Sequence, residues 1–236
     1  MAEKGPSPRD LVIGRPTALH QTSERIIHGD DDVAEGVSYL SKIEPRFASI
    51  VATHGLPRTR RVENNLSTLL NIITEQLISV KAAATIWQRI HARLHPFEPS
   101  QILEVHHDDL RQLGITAAKA RCFHAISKAV HTGELNFQEL NAMQDEKVQK
   151  LLTALPGVGP WTADIFLLAA LGRADACPSG DLALQIAAQD IFNLDQRPSS
   201  MTFLLMAEPW RPWRSVAARL LWSHYQGSRG AKAEGN

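Results

Sequence analysis

The residues best placed to do chemistry lie between positions 151 and 222. Asp181 follows Gly180 and opens an apolar run. An aspartate there caps a helix, and the dipole and amides of a helix start suit a negative charge. The same fixed carboxylate can stabilise positive charge developing beside it, and can orient or deprotonate a water. Asp164, Asp175 and Asp190 are its rivals nearby in sequence. Trp161 and Trp222 are the candidate aromatics, because an electron-rich indole face attracts a cation. The plainer reading of both is core packing. Pro156-Gly157-Val158-Gly159-Pro160 ends one helix, supplies positive-φ positions and starts another helix at Pro160. Amides exposed at such a turn seat a phosphate oxygen without any side-chain charge. An ordinary packed helical hairpin would read the same. His106-His107-Asp108-Asp109 has metal-ligand residue types but lacks the spacing that aligns ligands on a helix face, so Asp108 capping a short helix to Leu113 is simpler. Two cysteines, Cys122 and Cys177, make neither a disulfide framework nor a four-cysteine iron–sulfur site.

The elements around these residues read as helices. Asp30 or Asp31 caps a run through Val37 and Leu40, and Pro45 to His54 forms a second helix ended by Gly55. Asn65 to Ile78 has a wide apolar face, and Ser79 caps Val80 to Leu94. Gly114-Ile115-Thr116 starts another helix carrying Lys119, Ala120 and Arg121. Val148, Leu151, Leu152 and Leu155 precede the turn at helical spacing, and Trp161 to Leu171 follows it. Gly172 to Gly180 is an irregular crossing, and a last helix begins near Pro212. No run alternates as a strand does. The fold class is all-α. Residues 1–28 read as a mobile arm, 29–226 as the helical domain with its hairpin at 148–171, and 227–236 as a flexible tail.

With 236 residues the chain can bury a real core. It carries neither a signal-peptide pattern nor a long apolar span, so no membrane partner is expected. Lys+Arg and Asp+Glu are 25 each, a formal net charge of zero. That counts mildly against nucleic-acid binding. Arg58, Arg60 and Arg61, and the group Arg211, Arg214, Arg219, Arg229 and Lys232, are local basic excesses that a solvated surface explains equally well.

Leu155-Pro156-Gly157-Val158-Gly159, then Trp161-Thr162-Ala163, then Gly180-Asp181-Leu182, then Pro212-Trp213-Arg214-Ser215 resembles the alkylation-repair branch of the helix–hairpin–helix DNA glycosylases. The order is far more specific than any piece, and the likeness covers most of residues 64–226. It implies two helical subdomains with the active site in the cleft between them, without the extra N-terminal β domain of larger members. It implies Asp181 as the catalytic carboxylate, and Trp161 and Trp222 lining the base pocket, with Ile165 where some relatives carry an aromatic. Gly157, Val158 and Gly159 would hold the DNA backbone. Leu77, in Ile73-Thr74-Glu75-Gln76-Leu77-Ile78-Ser79, would be the wedge that fills the gap of a flipped nucleotide. From spacing alone a buried core leucine is the favoured reading of Leu77, and Glu75 departs from the usual glycine or glutamine.

The resemblance further implies no catalytic cofactor, and a structural monovalent cation held by the backbone carbonyls of Thr153, Leu155 and Val158. Trp161 stands where bifunctional relatives carry a lysine, which implies a monofunctional hydrolase. The expected partner is duplex DNA with alkylated bases, bound by a monomer in a bacterial cytoplasm or a eukaryotic nucleus. A non-catalytic helix–hairpin–helix module that only holds DNA, and a purely structural helical protein, are the alternatives.

Overall fold

The computed structural model describes residues 24–234, with side chains to 228. Its helices are α1 (Asp30–Ile43), α2 (Pro45–His54), α3 (Leu66–Glu75), α4 (Val80–Leu94), α5 (Pro99–Glu104), α6 (His107–Gln112), α7 (Ala117–His131), α8 (Phe137–Leu140), α9 (Asp145–Thr153), α10 (Pro160–Ala169), α11 (Leu182–Ile191), α12 (Ser200–Met206) and α13 (Arg214–Glu234). A 3₁₀ turn, Glu208–Trp210, links the last two. Among the described residues the nearest thing to a sheet is one isolated bridge, Ile26 to Arg173.

The helices sort into two groups. The ends of the chain pack together as α1, α2, α11, α12 and α13, while α3, α4, α5, α6, α7, α9 and α10 pack as the middle of the chain. One apolar core runs through both, from Leu40, Phe47 and Leu221 in the first to Leu69, Phe123 and Phe166 in the second. Local chemistry sets the helix starts. Asn65, Ser79, Thr116, Asp181 and Ser199 each accept a backbone N–H from their own first turn. Pro45 and Pro160 occupy first-turn positions that need no amide donor.

Several boundaries differ from the sequence reading. Gly29 caps α1, and Asp32 reaches back to the amides of His28 (2.7 Å) and Gly29 (3.2 Å). His106, not Asp108, caps α6, its ring Nδ1 accepting the Asp108 N–H at 3.2 Å. Helix α3 stops at Glu75 because Leu77 takes φ 59°, which a right-handed helix cannot contain. The last helix starts at Arg214 and continues through 227–234, where a tail was expected. Its packing on α2 explains the continuation: a Cβ on Gly227 would lie 2.2 Å from the His54 ring.

Most of the expected arm, residues 1–23, lies outside the described residues. Residues 24–28 do not behave as an arm. Ile27 is buried, its amide donates to the Gly172 carbonyl at 2.7 Å, and Arg25 accepts the Ala174 amide at 2.9 Å. These two bonds and the Ile26 bridge pin the segment to the crossing that precedes Asp181.

Candidate active site

The seam between the two helix groups brings the predicted carboxylate and both tryptophans together. Asp181 caps α11 in the terminal group, Trp222 comes from α13 of the same group, and Trp161 comes from α10 across the seam. Trp161 Nε1 donates to Asp181 Oδ2 at 2.9 Å, and Trp222 Nε1 donates to Oδ1 at 3.1 Å. The Leu184 amide donates to Oδ1 at 3.0 Å. Every described partner is an N–H donor, so the arrangement suits an ionised carboxylate. The residue is partly exposed, so the carboxylate remains within reach of the seam. The capping and chemical readings of Asp181 therefore coexist in one side chain.

The tryptophans thus do something the sequence did not announce. Their indole edges fix the carboxylate, while both side chains stay half-buried. Beyond Pro160, the residues of α10 that are not buried are Trp161, Ile165 and Ala169. Their four-residue spacing puts them on one helix stripe, on the side where Trp161 meets Asp181.

The crossing from Leu171 to Gly180 aims Asp181, and the start of α13 grips it. Arg214 donates through Nε and Nη2 to the two carboxylate oxygens of Asp175, each at 2.8 Å, and Arg211 also pairs with Asp175. Ser215 Oγ lies 2.6 Å from the Arg173 carbonyl and 3.0 Å from that of Ala176. Arg173, itself buried, reaches the carbonyls of Leu140, Asn141 and Met143. Asp175 is accordingly a structural anchor, Asp190 contacts His224, and Asp164 is buried with Gln149 donating to it at 2.8 Å. None of the three rivals faces the tryptophans through a hydrogen bond.

The hairpin is α9, the turn and α10. Gly157 has φ 80°, as expected, whereas Gly159 has φ −91° and extended ψ, so only one glycine of the turn needs the left-handed region. Gly157 also has no room for a side chain, since a Cβ would lie 1.9 Å from Cys122 Sγ on α7. Around Gly159 a Cβ meets nothing within 4 Å. The turn therefore offers open backbone at the N-terminus of α10. Leu155 O accepts the Val158 amide at 3.1 Å, while among the described residues no amide donates to the carbonyl of Thr153 or Val158. The Thr153 carbonyl lies at the negative end of α9 and the Val158 carbonyl in the turn, both open to a cation.

Leu77 is not a core leucine. It is fully exposed, at 105% relative accessibility, on the turn between α3 and α4, flanked by exposed Ile78 and Val80. Gln76 beside it donates from Nε2 to Gly157 O (3.1 Å) and Thr162 Oγ1 (2.8 Å), and Lys119 Nζ donates to Thr74 O and Gln76 O. Sequence reasoning passed over Gln76 and Lys119, because their partners are 43 to 86 residues away.

Part of the basic clusters is committed elsewhere: Arg61 donates to the carbonyls of Ile27 and Ala170, and Arg211 and Arg214 serve Asp175. Arg219 is buried, its Nε and Nη2 without a hydrogen-bond partner among the described residues, and the side chains of Arg229 and Lys232 lie outside the described residues. Burial, with Arg60 and Arg61 nearby, pulls Arg219 down to about 10. Among the described residues no group of three or more His, Cys, Asp or Glu is arranged to hold a metal ion.

YfjP of Bacillus subtilis is 32% identical over 165 residues, covering 65% of this chain but 56% of the relative, so the chain spans little more than half of that protein. The alkylbase DNA glycosidase-like protein mag2 of Schizosaccharomyces pombe is 26% identical over 200 residues, 82% of this chain and 94% of the relative. The solved structure of Schizosaccharomyces pombe 3-methyladenine DNA glycosylase in complex with abasic DNA superposes with a TM-score of 0.75 at 25% identity, over 80% of this chain and 95% of that one. Residues 70–212 match the model of the HhH-GPD superfamily base excision DNA repair proteins, and the chain belongs to that family.

Proposed function

We propose that the protein is a monofunctional DNA glycosylase that removes alkylated purines from duplex DNA and leaves an abasic site. The observation that carries this reading is the Asp181 carboxylate, held across the seam by the N–H groups of Trp161 and Trp222. Alkylation of a purine ring nitrogen makes the base cationic and a ready leaving group. As the C1′–N bond breaks, its electron pair goes to the base, which departs neutral, and positive charge develops on the sugar. Asp181 stabilises that charge at short range. Water then bonds to C1′ and gives up its proton, for which the carboxylate is the nearest acceptor. A cationic leaving group needs no strong general acid, and the tryptophan faces favour the cationic base over a neutral one.

DNA is held, in this proposal, by the amides of Gly157, Val158 and Gly159 at the N-terminus of α10. Leu77 fills the gap left by the flipped nucleotide, which suits an exposed apolar tip on a turn. A monovalent cation bound by the carbonyls of Thr153, Leu155 and Val158 would supply positive charge beside the phosphate; it takes no part in bond breaking. Trp161 occupies the position of the lyase lysine and has no amine, so no imine forms. The protein acts as a monomer.

The test is incubation with duplexes carrying one 3-methyladenine, 7-methylguanine, hypoxanthine or etheno-adenine. Free base with an intact strand until hot alkali is expected, and borohydride should trap no adduct. Binding without base release on every duplex would favour the non-catalytic DNA-binding module. Nicking before alkali with a trapped adduct would show a lyase.

A further inference from the structure

We infer that Gln76 and Lys119 are positioning residues for Leu77, locking its turn to the hairpin so that wedge and DNA grip move as one body. The inference rests on Leu77 being the wedge. Leu77 sits in an unfavourable state twice over: its backbone has φ 59°, and its side chain is exposed to water. Among the described residues no hydrogen bond outside helices involves Leu77 itself. A free turn would relax toward extended backbone and lay the leucine on the surface.

Two contacts from outside the turn oppose this. Helix α3 ends at Glu75 and leaves carbonyls without helical partners. Lys119, in the first turn of α7, places its ammonium 2.8 Å from Thr74 O and 2.7 Å from Gln76 O. It fixes the peptide that carries the Leu77 amide. Burial pulls the Lys119 pKa down. Among the described residues these two main-chain carbonyls are the hydrogen-bond acceptors that the ammonium meets. From the other side, the Gln76 side chain donates to Gly157 O at the hairpin apex and to Thr162 Oγ1, which is buried in the first turn of α10. The residue next to the wedge is thus clamped to α7 through its main chain and to the hairpin through its side chain. When the hairpin takes hold of a phosphate, the position of Leu77 is already set. Ordering the wedge then adds no separate cost at the flipping step.

The experiment uses Lys119→Met, Gln76→Met, Leu77→Ala and the two double variants with Leu77→Ala. Each keeps much of its side chain's bulk or removes only the wedge. The duplex carries the lesion released fastest by the wild type, with 2-aminopurine beside it to report unstacking. Single-turnover base release, 2-aminopurine fluorescence on binding, and affinity for undamaged duplex are measured. Both methionine variants should lose about tenfold in release rate and most of the fluorescence rise, with undamaged-duplex affinity within about twofold of wild type. Combined with Leu77→Ala they should lose nothing further, since all act through one side chain. Losses that multiply in the double variants, or a folded methionine variant at wild-type rate and fluorescence, overturn the inference while leaving the wedge in place. Leu77→Ala at wild-type rate instead removes the wedge reading itself. Gln76→Met keeps the question open to an answer should Lys119→Met fail to fold.

Discussion

Replacing Trp161 with phenylalanine separates the two jobs given to that side chain. The variant keeps an aromatic face at the seam and deletes the N–H that donates to Asp181 Oδ2 at 2.9 Å. Among the described residues that indole is the partner of Oδ2, whereas Oδ1 keeps both Leu184 N at 3.0 Å and Trp222 Nε1 at 3.1 Å. A hydrogen bond to a charged group contributes about 1.5–3 kcal/mol. At about 1.4 kcal/mol per tenfold, losing it from the reacting state slows base release by roughly tenfold to a hundredfold. Trp222→Phe leaves Oδ1 with the backbone donor that also caps α11, so its loss should be smaller. The assay is single-turnover base release at saturating enzyme, with KM measured in parallel. Trp161→Phe should lower kcat and leave KM within about twofold, because the ring face and the hairpin grip remain. A wild-type kcat, or a loss confined to KM, would show that the indole N–H does not position the carboxylate for reaction.

Other expectations follow from the hairpin and the core. Gly157→Ala combines positive φ with a Cβ 1.9 Å from Cys122 Sγ, so it should destabilise the fold by about 1–3 kcal/mol, read as a lower Tm. Gly159→Ala has ordinary φ and open space, so Tm should hold while duplex affinity falls by about 1 kcal/mol, or roughly fivefold, measured by fluorescence anisotropy. Unchanged affinity would remove the hairpin from DNA binding. Burial raises the Asp164 carboxyl to about 7, from 3.8. Between those values the folded state holds a proton that the unfolded state has lost, so stability declines as pH rises to about 7 and levels off above it. Asp164→Asn keeps the acceptor for Gln149 and lacks this titration. Its stability advantage should grow from pH 4 to pH 7, by up to about 4 kcal/mol, in denaturant titrations. A pH-independent difference would refute the assignment.

Most of the longer helices, and the gathering of Asp181 and two tryptophans at one site, were legible because each depends on local pattern or on a motif order, whereas the short α5, α8 and α12 were not read. Caps such as Ser79 and Asp181 are short-range chemistry, and a single chain displays them. The direction of the indole edges was not legible. It depends on α10 and α13 converging on α11 from opposite groups, which no local spacing encodes. Leu77 was ambiguous for a related reason. Its apolar type suits a core, and only the left-handed backbone and the Lys119 and Gln76 contacts turn it outward. The basic clusters were left open between a DNA face and a solvated surface, and for Arg61, Arg211 and Arg214 neither holds, because Asp175 and the main-chain carbonyls of Ile27 and Ala170 claim them.

The most direct test of the account is Asp181→Asn in single-turnover base release from a duplex with one alkylated purine. Asparagine remains a good cap for α11, and its oxygen can still accept from Leu184. The charge is lost. A unit charge about 4 Å from the sugar cation, at an effective dielectric near 20, contributes about 4 kcal/mol, or roughly a thousandfold in rate. The account predicts a folded variant that binds the lesion duplex within about threefold of wild type and releases base about a thousandfold more slowly. Release within threefold of wild type by that folded variant would contradict it.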